Sequence, residues 1–531
     1  MSIQRIMNTR QAAAEIIRSN RDAQFLISLF FLAFLTRIPF VSSSADGWDA
    51  ATYIRRAETF ALTGYFSWGV NALMAKPGFI ALIAVPTYLT YLITGAIVTE
   101  RVAVYISALL GSLSIIPLYY LVKIISGRRE AITAALFLIF SPLHWFYSEI
   151  AMSDMASFFF VLSSLTLAYT WAYSKTRNIK SLVFAGLTLG YAMAVRPQES
   201  LAIPAFLAIL LQGVFKKKVN WKFFLPVILI PIFIGLAIFA LLTYQPTLQL
   251  TAATWIEWIW YKLWHPTIVG LALQELISGL TIPIFAFAAL GFYAFADKKR
   301  RRMMLPLVVW IVPYLLIYLT LTWTSWRYFL PIYPPLITLA ATSIWRIIPK
   351  TPVKLVFMGS SKQINLLPIM IIGFLLFFGI YSTAPTVYAY HSRVHFSEAI
   401  ALWYHDNTPP NAVILARQEF PYVEYYGQRK AYHLEVYYQQ QEFFYKPLRI
   451  MVSSGIPVYV SSWALEDFQR ANSTLYDQIS KNFTLQEVGT ISPENLRNIY
   501  CPEPGSYKIL NWEKVVRTHS IIIYRLYLPS T

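Results

Sequence analysis

The chain has 531 residues, of which 57% are hydrophobic and only 13% charged, and its mean hydropathy is +0.50. Soluble domains carry about 25% charged residues, so a soluble fold is excluded and a polytopic α-helical membrane protein is expected. One cysteine, Cys501, excludes an internal disulfide framework and a zinc–cysteine cluster.

In chain order, residues 1–23 carry Arg5, Arg10, Arg18 and Arg21 and read as a cytoplasmic segment. No small-residue cleavage site follows the first apolar run, which reads as an anchor. Apolar segments fall at 24–41, 101–124, 131–148, 155–174, 181–196, 199–214, 223–243, 277–296, 303–321, 329–348 and 364–385. Most approach the roughly 20 residues a helix needs to cross a bilayer, which gives about eleven transmembrane helices over 24–385. Segment 78–94 is apolar too, but Pro77 and Pro86 interrupt it, so it reads as an interfacial or re-entrant piece within a first outer loop at 42–100.

Every second loop is basic: Lys123, Arg128 and Arg129; Lys175, Arg177 and Lys180; Lys216, Lys217, Lys218 and Lys222; 297–302, "DKKRRR"; and Arg346, Lys350, Lys354 and Lys362. The alternate loops are nearly free of Lys and Arg apart from the first. The positive-inside rule puts the N-terminus in the cytoplasm and the first outer loop on the far face. The net charge of +18 is then topology and attraction to anionic lipid headgroups, and no nucleic-acid partner is expected. Residues 386–531 change character. "HFSEAIALWYHDN" has one apolar helix face, "WALEDFQRANSTLYDQISKNF" reads as a second helix, and "GIPVYVSS", "FTLQEVGTI" and "SIIIYRLYL" read as strands, giving a small extracytoplasmic α/β domain. Sequons at Asn472 and Asn482 suit an external location.

Ionisable residues gather at the outer ends of the spans: Asp46, Asp49, Glu149, Asp154 and Glu199, interleaved with Arg37, Lys76, Arg101, Arg196 and Arg327. Charges at membrane depth are costly and generally mark function. Mixed signs on one face suit a site that binds an anion while one carboxylate acts as a base. Structural readings stand beside this one. Asp46 suits an N-cap, with Asp49 in the first helical turn; Arg101 and Arg196 suit snorkelling to headgroups; His265, in "WYKLWHP", suits an interfacial aromatic cluster. A hard cation could be held by Asp46, Asp49, Asp154 and His265, but no spacing demands one.

The stretch "DAATYIRRAETFALTGYF" followed by "AKPGF" resembles the first outer loop of GT-C glycosyltransferases, among them protein O-mannosyltransferases, aminoarabinose transferases and archaeal dolichyl-phosphate-sugar transferases. Asp49, Tyr53, Gly64, Lys76 and Pro77 match its pattern; Asp154 in "YSEIAMSDMASFFF" matches the second outer loop, and Arg196 and Pro197 the basic step in "AVRPQES". The resemblance covers about residues 24–350. It implies a sugar donor on a polyprenyl (dolichyl-type) phosphate and an acceptor hydroxyl on a protein, glycan or lipid. It also implies an inverting displacement with Asp49 as base, Asp46 and Asp154 as further carboxylates, Lys76, Arg196 and Arg101 on the phosphate, and Tyr53, Glu149, His265 and Arg327 around the substrate. The family's adjacent acidic pair is replaced here by Asp49-Ala50, and Ala75 stands where some relatives have an acid, which puts a metal site in doubt. No "WWDYG"-like motif is present, so an oligosaccharyltransferase is not expected. The alternative is a carrier or flippase for an anionic solute or lipid, which would favour midplane charges and two related halves.

Overall fold

The computed structural model describes residues 22–66, 76–217, 273–319, 326–434, 441–465, 475–497 and 520–529, with small internal gaps that include 46–47. Among these, seven helices are long and apolar enough to cross a membrane: α1 (Asp22–Phe40), α3 (Pro77–Thr94), α4 (Thr99–Ile125), α7 (Ser153–Tyr173), α9 (Pro197–Lys216), α11 (Arg301–Tyr318) and α13 (Leu366–Ser392). Between them lie α2 (Trp48–Thr63), α5 (Arg128–Ile139), α6 (Pro142–Tyr147), α8 (Ile179–Val195), α10 (Ile282–Gly291) and α12 (Tyr333–Ile347). The segment at 131–148 is broken in two because Ser141 is extended before Pro142, as a residue preceding proline prefers. Nearly all of 223–243 lies outside the described residues.

The helices sort charge to two ends. At one end Asp22 pairs with Lys123 at 2.5 Å and Arg128 at 2.9 Å. Arg346 meets Glu130 at 3.9 Å, and Lys216 sits 4.2 Å from the Tyr173 ring centre. This end holds the basic loops. The mixed-charge residues lie at the opposite end, where α7 begins. Helix α3, 18 residues and so about 27 Å long, starts there: Lys76 Nζ donates to Ser153 Oγ at 3.3 Å. Five residues past its end, Thr99 Oγ1 donates to Glu58 of α2 at 3.2 Å, at the C-terminal domain. The chain therefore leaves α3 on the side where it entered.

Helix α13 runs past the expected boundary at 385 to Ser392 and leads directly into the C-terminal domain. There a five-stranded sheet has the order β5 (Lys430–His433), β4 (Val413–Ala416), β6 (Val458–Ser461), β9 (Ile521–Tyr527), β7 (Thr484–Ile491). The β5–β4–β6 pairs are parallel and β9 is antiparallel to both its neighbours. The expected helix, α14 (Phe396–Asn407), and strands near 458, 484 and 521 are present, and a short parallel pair joins β3 (Val394–His395) to β8 (Leu496–Arg497). Helix α15 (Phe420–Tyr425), strand β5 and helix α16 (Gln441–Ser453) were not read from the sequence. One face of the sheet joins the membrane core through Phe396, Ile400, Tyr404 and Ile414. Where α15 meets α2, Arg55 pairs with Glu424, Tyr425 donates to Glu58 at 3.5 Å, and Tyr426 donates to Glu100. A hairpin of β1 (Pro352–Phe357) and β2 (Ser360–Asn365) lies in the last basic loop.

Candidate active site

The cluster is assembled by four helix starts and one turn. Asp49 occupies the first turn of α2, where the positive helix end favours an acid. Gly64, at φ +70°, ends that helix and donates to Phe60 O at 3.0 Å, the left-handed cap that glycine adopts without penalty. Lys76 itself has φ +48°, a conformation that strains a residue with a Cβ by about 1–3 kcal/mol and recurs at functional sites. Pro77 then fixes the first turn of α3. Gly78 packs flat on the end of α8, where an added Cβ would lie 2.8 Å from the backbone of Ala194 and Val195, and Tyr191 donates to its carbonyl at 2.9 Å. The Lys76-Pro77-Gly78 triplet thus sets Lys76 beside Arg196, one residue beyond α8.

Arg196 is 2% exposed and its ion pair with Asp154, on α7, is 1% exposed. Tyr314 donates to Glu199 at 2.6 Å, and Glu199 acts on Arg196 electrostatically. Arg327, at the start of the turn Trp326–Ile332, bonds Asp49 at 2.7 Å. This pair is more open, with side chains 19% and 35% exposed. The Tyr328 ring carries both guanidinium groups, Arg196 at 5.7 Å and Arg327 at 5.5 Å from its centre. Tyr53, one turn beyond Asp49, lies 5.4 Å from Lys76 Nζ and edge-on to Phe79. Three cations and three carboxylates thus share one end of the helix bundle.

Burial and the repulsion of Arg196 bring the Lys76 ammonium down to about 7. Burial pushes the Asp49 carboxyl up, but Arg327 and Lys76 outweigh it and hold the group below its usual value. Burial, reinforced by Asp49, pushes the Tyr53 phenol well up, so it stays protonated. Asp154 Oδ2, Arg196 Nε and Arg327 Nε have no hydrogen-bond partner among the described residues.

The structure therefore joins Asp49, Tyr53, Lys76, Asp154, Arg196 and Arg327. It also adds Tyr314, Tyr328 and Ser153, which were not read as site residues, and Glu199, which was read only as one of the charges at the outer ends of the spans. Arg101 is exposed on α4 and, among the described residues, is not drawn into this cluster. Glu149 is engaged elsewhere: Trp145 donates to it, Arg37 acts on it electrostatically, and its carbonyl takes Ser42 N–H at 2.8 Å. Asp46 and His265 lie outside the described residues. Among the described residues no group of three His, Cys, Asp or Glu is placed to hold a metal.

A family model described as dolichyl-phosphate-mannose-protein mannosyltransferase matches residues 77–244. No curated protein matches the chain. Among solved structures, ArnT from Cupriavidus metallidurans bound to undecaprenyl phosphate is similar at a TM-score of 0.55 and 12% identity, over 95% of this chain and 97% of that one. The archaeal oligosaccharyltransferase AglB from Archaeoglobus fulgidus, in complex with an inhibitory peptide and a dolichol-phosphate, is similar at 0.55 and 12%, over 89% and 74%. At such identity the likeness is one of fold. With that fold, and with the family model over residues 77–244, the chain resembles the GT-C glycosyltransferases.

Proposed function

We propose that the protein moves a sugar from a polyprenyl phosphate, of the dolichyl type, to an acceptor hydroxyl of a protein, glycan or lipid at the outer face of a cell membrane, with inversion. The observation that carries this reading is the convergence of Lys76, Arg196 and Arg327 on a partly open carboxylate, Asp49. The acceptor oxygen attacks the anomeric carbon and forms the new glycosidic bond. The bond from that carbon to the phosphate oxygen breaks, and its electron pair leaves with the polyprenyl phosphate. Asp49 takes the acceptor proton. Charge grows on the phosphate as the bond breaks, and fixed cations stabilise that growth more than they stabilise the bound donor. Asp154 and Glu199 orient Arg196.

The polyprenyl phosphates held by ArnT and AglB support a donor of this class here. A carrier would need its charges near the bilayer midplane; the cluster's position at the helix ends favours the enzyme. The reading puts the N-terminus in the cytoplasm and the C-terminal domain outside. Its test is incubation of the purified protein and membranes with radiolabelled polyprenyl-phosphate sugars. Consumption of one donor by the wild type and not by Asp49→Asn is expected; no transfer from any of them overturns the proposal.

A further inference from the structure

The two arginines of the cluster are held differently, and this inference rests on the donor reading above. Arg196 is locked: its pair with Asp154 is almost wholly buried, Glu199 backs it, and it follows the rigid contact of Gly78 with α8. A buried pair of this kind is costly to separate. Arg327 has the looser arrangement. Its pair with Asp49 is less buried, with side chains 19% and 35% exposed, so separating it costs less than separating a wholly buried pair. It also meets the sulfur of Met152 at 4.0 Å, a poor acceptor, Asp154 acts on it electrostatically, and its Nε–H has no partner among the described residues. Both guanidinium groups lie over one ring, that of Tyr328, so an anion drawn to Arg196 and Lys76 arrives within reach of Arg327.

We infer that Arg327 exchanges anions: it holds the Asp49 carboxylate until a donor phosphate arrives, then moves to that phosphate and leaves Asp49 free to accept a proton. Donor binding would thus release the base, and the base would stay covered without a sugar to transfer. A side chain with two alternative anionic partners is a two-state element, and ligand binding shifts it only by what the ligand gains in one state over the other.

The exchange predicts competition between Asp49 and the phosphate for one guanidinium. Binding of undecaprenyl phosphate in detergent micelles is measured calorimetrically on the full chain as wild type, Asp49→Asn, Arg327→Gln and the double variant. Asp49→Asn should bind about tenfold more tightly than wild type, between the effects expected for open and buried pairs. Arg327→Gln should bind more weakly, and in that background Asp49→Asn should give little further gain. This non-additivity is the signature of a shared partner. An equal gain in both backgrounds means that Asp49 merely repels the phosphate, and the exchange fails; so does the absence of any gain. Either result leaves the donor reading standing if the wild type binds. A wild type that binds no undecaprenyl phosphate removes the donor reading, and the exchange with it. Should Arg327→Gln not fold, Arg327→Met, which keeps an apolar stem over Tyr328, takes its place in the cycle.

Discussion

Two networks built around arginine and carboxylate lie towards the same end of the helices, and they differ in what faces them. Around Arg37 both Nη groups are directed at the protein itself: Nη1 to Ala33 O at 2.7 Å, Nη2 to Ile139 O at 3.0 Å and to His144 Nδ1 at 3.0 Å. Because arginine can only donate, His144 Nδ1 must be the unprotonated nitrogen, and Nε2–H then donates to Ser114 Oγ at 3.0 Å. Ser114 passes the chain to Gly111 O, and Glu149 completes it through Trp145. This network ties α1, α4 and α6 together and closes on backbone carbonyls. The cluster around Asp49 closes on other side chains and stays open at Asp49 and Arg327. A structural network spends its donors on fixed acceptors; a site keeps charges whose partners can be replaced.

The largest break in this comparison should come from Asp154→Asn. It leaves Arg196 buried with its main counter-charge gone, at a cost of about 3 kcal/mol in stability, read as a lowered midpoint in thermal unfolding in detergent. Asp49→Asn should come next and should act oppositely: stability held, and the transfer rate at saturating donor down about 100-fold for want of a base. A third test uses pH. Lys76, brought down to about 7 by burial and Arg196, carries its charge below that pH and loses it above. Donor affinity should therefore fall up to about tenfold per pH unit as pH rises past 7, and Lys76→Arg, charged throughout, should flatten the profile. The smallest effect is expected from Glu149→Gln: transfer per folded molecule within about twofold of wild type, with loss confined to thermal stability. A collapse in rate with unchanged stability would move Glu149 from the first network to the second.

Much of this contrast was legible in the chain. Asp49, Lys76, Asp154, Arg196 and Arg327 were marked by the cost of charge between apolar segments and, for all but Arg327, by motif spacing. The pairings were not legible. Asp49 and Arg327 are nearly three hundred positions apart, and nothing along the chain says that Arg327 serves Asp49 while Arg196 serves Asp154. Glu149 and Arg37 show the converse: an acid and a base at the right depth look functional in sequence, and only their hydrogen bonds reveal a brace. Glu199 carried a usable signal, an acid three residues after Arg196 at the head of an apolar helix, but it reads equally well as a helix-start charge. In the C-terminal domain the alternating strands were visible, whereas α15 and β5, six and four residues long, are too short for periodicity to register.

The contact of Gly78 with Ala194 and Val195 has a bearing on selectivity. Backbone meets backbone there, so the spacing of the main-chain positions that carry the lysine and the neighbouring guanidinium is fixed. Side chains can lean a little; the two chain segments that carry them cannot come closer. On the donor reading proposed above, such a site would measure a headgroup against a fixed gauge instead of closing on whatever enters. Discrimination between carriers with one phosphate and carriers with two would then be a matter of fit to a rigid frame, decided when the chain folds.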